Sequence, residues 1–421
     1  MMMLGASMGS TAQDGRKQCL FLVVFYPAEN EVFSIYAKKD VKGRSHVKAS
    51  RSWRGICAAF LRWLLRKLQR DTDQLAEIAM NFSASQVAYT LAVHGVADAL
   101  EAGPKTLPAL AEAVEADPGR LYRLLRAAIA LGLFSEAPSS SQGAPAFCNN
   151  SLSRLMLEGH PSGMRFLLMH LMEDCWTAWG HLHDGIDTPY ALPFDRAHGG
   201  ESFWSYLKNH PAQRKVFARA MTALNSFGMS EVMQGHDWLQ YTKIIDLHGD
   251  SGTFLATILA ARGHEGQKGI LVQPSVLAGE GQEVSARLAA SHGVSDRMSF
   301  TTGDLHQPGV VPACSGPGEA YVLRCILHAQ PDMDALPVLK RVHEAMGEQR
   351  AYLVLIERCL PPGISQATSQ QALSDLHVMV LANGRERNLE EWRSLLQSAS
   401  FKLIYCHAMQ NSLAIMVAMR G

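Results

Sequence analysis

The chain has 421 residues, of which 47% are hydrophobic and 19% charged, and its formal net charge at neutral pH is zero. This composition excludes a disordered chain and predicts about two to three globular domains, each with its own core. After residue 70, 26 Lys and Arg face 35 Asp and Glu. A neutral-to-acidic body lacks the clustered positive field that nucleic acids require, so we expect no nucleic-acid partner.

The first 70 residues differ from the remainder because they hold thirteen Lys and Arg against four Asp and Glu. Their most apolar run, residues 20–26, is too short to cross a membrane, and it is either the core of a targeting peptide or an ordinary structural segment. Residues 51–70 place apolar side chains at three- and four-residue steps between arginines, which predicts a basic amphipathic helix. We interpret it as an additional packing helix, with a membrane-surface or targeting role as the alternative. No integral membrane segment is expected.

The eight cysteines are scattered along the chain without a C-x-x-C pair. A chain of this size needs no disulfide framework, so we expect reduced thiols and a cytoplasmic location, with organelle targeting by the basic N-terminal extension as the alternative. His181 and His183 alternate along a helical segment and therefore point to different faces. No metal site is predicted from them.

Residues 71–160 follow the pattern of successive helices. Asp117-Pro118 opens one of them in the preferred order of N-cap residue and first-turn proline. After this helix, residues 133–148 predict a short β-wing around a Ser-, Pro- and Gly-containing loop. Helices followed by a wing occur in DNA-binding and in protein-interaction domains, and the absence of a basic surround favours protein contact.

Residues 161–230 are helical and rich in Met and aromatic side chains. Such a stripe is usually core, but it also suits the wall of a pocket for a flat apolar substrate, because Met adapts its shape and rings stack. The candidates for the substrate pocket are Trp176, Phe217 and Met221.

From residue 243 onward, seven strand-like runs alternate with helical segments. They lie near residues 243–247, 269–273, 298–301, 320–324, 351–357, 401–407 and 412–418. This alternation is typical of βαβ units and predicts an α/β domain with a mostly parallel sheet. Ligands of such sheets bind at the carboxyl ends of the strands.

The first of these strands leads into a turn and then into a helix. An apolar run up to Leu247 breaks at a turn that contains Gly249 and Gly252, and it resumes with helical spacing. Backbone N–H groups and the helix N-terminus at such a junction can hold an anionic or nucleoside ligand. His248 and Asp250, however, occupy positions where a cofactor loop normally has glycine.

Polar residues follow the carboxyl ends of the other strands. In chain order these are Gln273, Gly303-Asp304, Arg324 through His328, Glu357 and Gly384-Arg385-Glu386-Arg387. Together with residues 121–126 and 132–134 of the helical region, this set resembles the plant-, microbial- and hydroxyindole-type small-molecule O-methyltransferases. The resemblance covers roughly residues 75–421.

The resemblance implies a class I, Rossmann-like methyltransferase domain with a seven-stranded sheet, preceded by an all-helical winged-helix dimerisation domain. The implied boundaries are 1–70 for the N-terminal extension, 71–160 for the dimerisation domain, 161–230 for the helical linker and pocket wall, and 231–421 for the methyltransferase domain. It also implies a homodimer, S-adenosyl-L-methionine as cofactor, and a hydroxylated aromatic or polycyclic small molecule as substrate.

The same resemblance assigns the residues of the site. His328 matches the general base, and Glu357 and Glu386 match the carboxylates that flank and orient it. Gln273 would face the ribose hydroxyls and Asp304 the adenine. The full set expected to bind the cofactor is Asp246, Gly249, Gly252, Gln273, Asp304, Leu305 and Arg324.

The implied chemistry is consistent with these residue types. Methyl transfer from a sulfonium is an in-line displacement, which needs good alignment and a deprotonated oxygen beside the methyl group. A phenol has a pKa of about 10 and an imidazole a pKa of about 6.5, so the proton transfer is uphill by itself. The sulfonium charge and the irreversible transfer draw the reaction forward.

The chain departs from the family pattern at three places. The family's turn is Asp-x-Gly-Gly-Gly-(Thr/Ser)-Gly, and in the corresponding turn from Asp246 to Gly252 this chain has His248 and Asp250 in place of two glycines. Gln273 stands where the family has an acidic residue. Ala329-Gln330 stands where the family has Asp-Trp after the catalytic His. Two interpretations are open. Either the enzyme binds its cofactor weakly and is active, or it has lost methyl transfer and serves as a non-catalytic dimer partner or a repurposed small-molecule enzyme.

Overall fold

A computed structural model describes residues 19–25, 32–39, 45–49, 53–137, 145–187, 192–226, 228–249, 251–275, 280–410 and 412–421. The chain divides into two compact units, Met1–Ser83 and Ala84–Gly421. Asp250 of the cofactor turn lies outside the described residues, and so does the loop of the predicted wing. In the described part of the chain, no helix is long and apolar enough to span a bilayer.

The first unit contains a three-stranded antiparallel sheet in the order β1-β2-β3. Its strands are β1 (Cys19–Phe25), β2 (Val32–Lys39) and β3 (Ser45–Ala49). Residues 20–25 of the apolar run at 20–26 thus lie in β1. The helix predicted over 51–70 is α1 (Trp53–Val93), which continues well beyond residue 70. Its predicted amphipathic pattern depends on side chains outside the described part of the chain.

The second unit begins with a small helical region and a three-stranded antiparallel sheet in the order β4-β6-β5. The side chain of Asp117 caps α4 by accepting a hydrogen bond from the Arg120 amide at 2.8 Å, as the Asp-Pro pair predicts. The elements are α2 (Val96–Ala99), β4 (Lys105–Thr106), α3 (Leu107–Ala113), α4 (Pro118–Ala130), β5 (Ser135–Ala137), β6 (Ala146–Cys148) and α5 (Ser151–Arg154).

Among the described residues, seven helices follow, and the aromatic and methionine residues predicted for this region form much of their core. Phe194, Phe203 and Phe217 are buried together, and the ring of Phe203 contacts the other two edge to face. The helices are α6 (Met164–Met172), α7 (Asp174–Trp179), α8 (Leu182–Asp187), α9 (Pro193–Ala197), α10 (Phe203–Asn209), α11 (Pro211–Ser226) and α12 (Met229–Gln234).

The remainder forms an α/β sheet with helices between its strands. Its elements are β7 (Lys243–Leu247), α13 (Thr253–Ala260), β8 (Lys268–Gln273), α14 (Glu280–Ser291), β9 (Met298–Thr302), β10 (Glu319–Arg324), α15 (Asp332–Met346), β11 (Tyr352–Leu360), α16 (Ser369–Ala382), β12 (Arg387–Asn388), α17 (Leu389–Ser398), β13 (Phe401–Ala408) and β14 (Leu413–Arg420). All seven predicted strands are present, and the two-residue β12 is additional.

The strand order is β13-β14-β11-β10-β7-β8-β9, and β12 pairs with β11. Strands β7 to β11 are parallel, whereas β14 is antiparallel to its neighbours β11 and β13. Alternate side chains pack on opposite faces, because Tyr321 and Leu323 of β10 join one core cluster and Val322 joins the other. Strand β7 lies between β8 and β10, where the direction of the strand order reverses, and this is the preferred place for a ligand.

Candidate functional site

His328 lies in a tight turn, Leu327–Ala329, that follows the carboxyl end of β10. The buried Glu357 of β11 holds this turn by its backbone: Oε1 accepts hydrogen bonds from the amides of Ile326 at 3.0 Å and Leu327 at 2.8 Å. Cys325 enters the turn at φ +53°, a left-handed conformation that is uncommon outside glycine. Glu357 therefore positions the backbone that carries His328, rather than bonding to the imidazole.

Glu386 contacts the imidazole directly. Its Oε1 lies 3.1 Å from Nδ1 of His328. The same oxygen accepts a hydrogen bond from the Ser374 hydroxyl at 3.2 Å and lies 3.4 Å from Nε of Arg358. The amide of Glu386 donates to Oδ1 of Asp375 at 2.7 Å. Three side chains thus hold the carboxylate and one holds the backbone of Glu386. The fixed carboxylate in turn orients the His328 ring.

The segment that carries Glu386 is packed against the His328 turn. A Cβ atom at Gly384 would collide with the carbonyl oxygen of His328, so only glycine fits there. The fully buried guanidinium of Arg387 donates to the carbonyl oxygens of Leu327 at 3.0 Å and Gln330 at 2.8 Å. Both ends of the turn are therefore clamped by this segment.

These contacts set the protonation states of His328 and Glu386. Burial opposes protonation of His328, but the hydrogen bond and negative charge of Glu386 outweigh it and raise the pKa above its ordinary value. Burial likewise opposes ionisation of Glu386, yet His328 and Arg358 hold its pKa below the ordinary value. Burial raises the pKa of Glu357 to about 7. Because the Nδ1 proton is held by a carboxylate, Nε2 is the nitrogen that can take up a proton.

A second imidazole, His377 of α16, lies near the first. Its Nδ1 accepts a hydrogen bond from the indole Nε1 of Trp179 at 3.1 Å, and the two rings are stacked. Burial and the charge of His328 lower its pKa to about 4. An indole only donates, so the neutral ring carries its proton on Nε2. Sequence reasoning missed His377, although the helical spacing from Ser374 places both on one face.

The three pocket candidates differ in position. Phe217 is buried in the aromatic cluster, and the centres of its ring and of the His170 ring lie 5.3 Å apart in an edge-to-face arrangement. Met221 packs against the same cluster while half-buried. Trp176 is 40% exposed. On the same helix, the indole of Trp179 contacts α16 through its hydrogen bond to His377.

The predicted cofactor turn packs tightly on the neighbouring strands. A Cβ atom at Gly249 would collide with the Asp246 carboxylate, and one at Gly252 would lie 2.7 Å from both Leu271 and Met298. Gly252 also adopts φ +77°, at the start of α13. Both glycines are therefore required for the turn to approach β8 and β9.

His248 keeps a glycine-like backbone within this turn, at φ +61°. Its Nε2 lies 3.2 Å from the carbonyl oxygen of Gly303, and burial lowers its pKa to about 4. His248 follows β7 and Gly303 follows β9, so the ring crosses the end of β8, which lies between them. Gln273 ends β8, is completely buried, and donates from Nε2 to Ser285 at 3.0 Å.

The remaining cofactor candidates border this edge of the sheet. Asp304 accepts a hydrogen bond from the His306 amide at 2.9 Å within its own turn. The side chain of Leu305 is buried in the core, which leaves its backbone for a ligand. Arg324 is buried and donates to the carbonyl oxygen of Asn225 at 2.6 Å, so it connects β10 with the end of α11.

Two stretches of the chain match known domain families. Residues 179–402 match the O-methyltransferase domain, and residues 76–159 match the O-methyltransferase dimerisation domain. The first match alone covers more than half of the chain.

Individual relatives agree with this assignment. The chain is 29% identical to 8-amino-8-demethylriboflavin N,N-dimethyltransferase of Streptomyces davaonensis, over 80% of this chain and 91% of that protein. The crystal structure of LaPhzM has a TM-score of 0.74 and 26% identity, and the match covers 83% of this chain and 99% of that one.

A third relative is known with its ligands. The crystal structure of the O-methyltransferase NcsB1 from neocarzinostatin biosynthesis contains S-adenosylmethionine and 2-hydroxy-5-methyl naphthoic acid, with a TM-score of 0.65, 25% identity, and coverage of 80% of this chain and 96% of that one. The predicted α/β methyltransferase fold and the predicted cofactor are confirmed by these matches. The chain belongs to the S-adenosylmethionine-dependent O-methyltransferase family, whose members methylate aromatic small molecules, and it carries the family's dimerisation domain.

Proposed function

We propose that this protein transfers a methyl group from S-adenosylmethionine to a hydroxyl group of an aromatic or polycyclic small molecule, with His328 as the general base. The observation that carries the proposal is the contact between Nδ1 of His328 and the buried Glu386. This contact fixes the tautomer and leaves Nε2 to accept the proton of the substrate hydroxyl.

Each residue of this group has a separate part in the proposal. Nε2 of His328 takes the hydroxyl proton while the oxygen attacks. Glu386 orients the ring and stabilises the imidazolium that forms, and Arg358 and Ser374 keep Glu386 ionised and in place. Glu357 acts through the backbone of the turn. Glu357 and Glu386 are therefore proposed as positioning residues.

S-adenosylmethionine supplies a methyl group activated by a sulfonium. The side chains at the carboxyl edge of β7, β8 and β10 fit such a ligand, because a buried carboxylate, amide and guanidinium converge there from Asp246, Gln273 and Arg324. With them we assign Gly249, Gly252, Asp304 and Leu305 to the binding of the cofactor. The turn between Asp246 and Gly252 approaches the strands closely enough to form the floor of the site.

The substrate is assigned to the helical side of the site. Phe217 and Met221 belong to an apolar and aromatic cluster that packs against α16, the helix that carries Ser374 and His377. Flat rings suit such a wall. Trp176 is retained as a wall residue in the proposal. We also propose a homodimer formed through the dimerisation domain, the domain boundaries at 70, 160 and 230, and a cytoplasmic location.

Replacement of the base tests the function. In His328→Ala, methyl transfer from labelled S-adenosylmethionine to a panel of hydroxylated naphthoic, phenazine and indole compounds should fall by at least about 10²-fold. Cofactor affinity, measured by calorimetric titration, should stay close to that of the wild type. The matched control is His183→Ala, because His183 is 77% exposed. Wild-type turnover in His328→Ala would show that another group is the base.

The departures in the cofactor turn favour one alternative, a divergent member that has lost methyl transfer and serves as a non-catalytic dimer partner or as a repurposed small-molecule enzyme. The observation behind it is the imidazole of His248, which crosses the end of β8. If S-adenosylmethionine does not bind up to millimolar concentration, this alternative replaces the proposed methyltransferase.

A further inference from the structure

The cofactor edge of the sheet contains a neutral side chain where an acid is expected. In dinucleotide-binding sheets, an Asp or Glu near the end of the second strand accepts hydrogen bonds from the ribose. Here that position is Gln273, whose Nε2 donates to the Ser285 hydroxyl at 3.0 Å, and this hydroxyl donates onward to the carbonyl oxygen of Ser251 at 2.8 Å. Gln273 is thus tied into α14 and the turn, and an amide has a single acceptor oxygen in place of two.

The side chain that crosses the end of this strand is His248. It is held at φ +61°, where most side chains are strained, and its ring reaches from the β7 turn to the carbonyl oxygen of Gly303 after β9. Histidine tolerates this backbone region better than branched residues do. The substitution therefore preserves the course of the turn and adds an imidazole above β8.

The contact with Gly303 decides the tautomer of this imidazole. A carbonyl oxygen only accepts, so Nε2 of His248 carries the proton and Nδ1 carries a lone pair. Within the described ranges, the ring forms no second hydrogen bond. Burial keeps the ring neutral at physiological pH, against the opposing influence of the Gly303 carbonyl and Asp304. Nδ1 is consequently a hydrogen-bond acceptor at the edge where the cofactor is proposed to bind.

We propose that His248 is a cofactor-binding residue whose Nδ1 accepts a hydrogen bond from a ribose hydroxyl of S-adenosylmethionine. It takes over part of the acceptor role that an acidic residue at position 273 would have. The inference rests on the proposed function only for the location of the cofactor; it does not depend on methyl transfer. It makes the departures at 248 and 273 a matched pair, in which His248 compensates for the acceptor that Gln273 lacks.

The experiment is a double-mutant cycle on the full-length protein, read by calorimetric titration with S-adenosylhomocysteine. His248→Gly should weaken binding by roughly five- to tenfold, because one hydrogen bond to the ribose is lost. Adding Gln273→Glu to His248→Gly should restore most of that loss. His248→Gly also removes the positive-φ strain, so unfolding of the variant is not expected, and its thermal melting temperature is the check.

A second probe identifies the group that His248 binds. S-adenosylhomocysteine analogues that lack the 2′- or the 3′-hydroxyl should bind the wild type more weakly, and for one of the two analogues His248→Gly should cause no further loss. Imidazole ¹⁵N shifts of His248 should show the Nε2–H tautomer in the free protein.

Each outcome decides the inference. Equal or tighter binding of S-adenosylhomocysteine by His248→Gly would overturn it and would show that the imidazole merely crowds the site. A loss that Gln273→Glu does not restore, or no binding to the wild type, would overturn it as well. The expected cycle in a protein without methyl transfer to the hydroxylated panel would uphold the inference and reject the proposed function.

Discussion

The two halves of the candidate site use the same side chain in opposite ways. On the base side, His328 bonds to a carboxylate, and its pKa is raised. On the cofactor side, His248 bonds to a backbone carbonyl, and its pKa is lowered to about 4. Burial acts against the charged form in both places, so the partner decides the outcome. An imidazole next to an ionised acid becomes a proton acceptor, whereas one next to a carbonyl remains a neutral hydrogen-bonding group.

The largest effect is expected when the charged partner of His328 is replaced by a neutral one, which removes the difference between the two imidazoles. Glu386→Gln keeps a hydrogen-bond acceptor for Nδ1 but removes the negative charge, so kcat/KM for methyl transfer should fall by about 10²- to 10⁴-fold. The pH profile sharpens the test. In the wild type the rate should rise with pH through a midpoint above 6.5, because the raised pKa keeps His328 protonated below it.

In Glu386→Gln, the acidic limb of the profile should move to lower pH, because the charge that raises the pKa of His328 is gone. Glu344→Gln is the matched control, since Glu344 is an exposed carboxylate of α15. A variant that keeps both the rate and the midpoint of the wild type would contradict the role of Glu386.

A smaller effect is expected from the backbone that holds the base side together. In Gly384→Ala, the added Cβ would meet the carbonyl oxygen of His328, so the turn must shift. We expect a loss of about 1–3 kcal/mol in the free energy of unfolding, measured by denaturant titration, together with reduced turnover. In Gly266→Ala nothing lies within 4 Å of the added atom, so stability should stay close to that of the wild type. Equal stability of both variants would show that the turn adapts freely.

The smallest effect concerns the third imidazole. Trp179→Phe keeps an aromatic ring beside His377 but removes the indole N–H that donates to Nδ1 of His377. The tautomer of His377 is then no longer fixed by this bond. The free energy of unfolding should fall by about 0.5–1.5 kcal/mol, and the ¹⁵N shifts of His377 should move toward those of a tautomer mixture. Trp176→Phe on the same helix is the control, because Trp176 is partly exposed. Unchanged shifts in Trp179→Phe would mean that another group selects the tautomer.

The sheet and its site candidates were predictable because both depend on local patterns. Parallel strands alternate with helices, their carboxyl ends share one edge, and polar residues that follow each strand must meet there. Glu386 could be paired with His328 only through the family resemblance, since 58 residues separate them. The prediction that both carboxylates flank the imidazole did not anticipate that Glu357 would bond to the backbone of the turn.

Contacts between distant helices could not be predicted from periodicity. Trp176 and Trp179 lie three residues apart in one apolar stripe, and the stripe does not indicate which ring contacts α16. The Trp179–His377 bond joins residues 198 positions apart. The length of α1 was not predicted, because the change from a basic to an Ala-rich pattern near residue 70 gives no sign that one helix continues through it.

The clamp formed by Arg387 has a consequence for how the protein matures. The His328 turn is held at Leu327 and Gln330 by a guanidinium about 60 positions later in the chain. During synthesis, β10 and the turn leave the ribosome well before the segment that fixes them. The turn that carries the proposed base is therefore fixed only after the segment with Arg387 has been synthesised and has packed against it, and a chain that ends before Arg387 lacks this clamp.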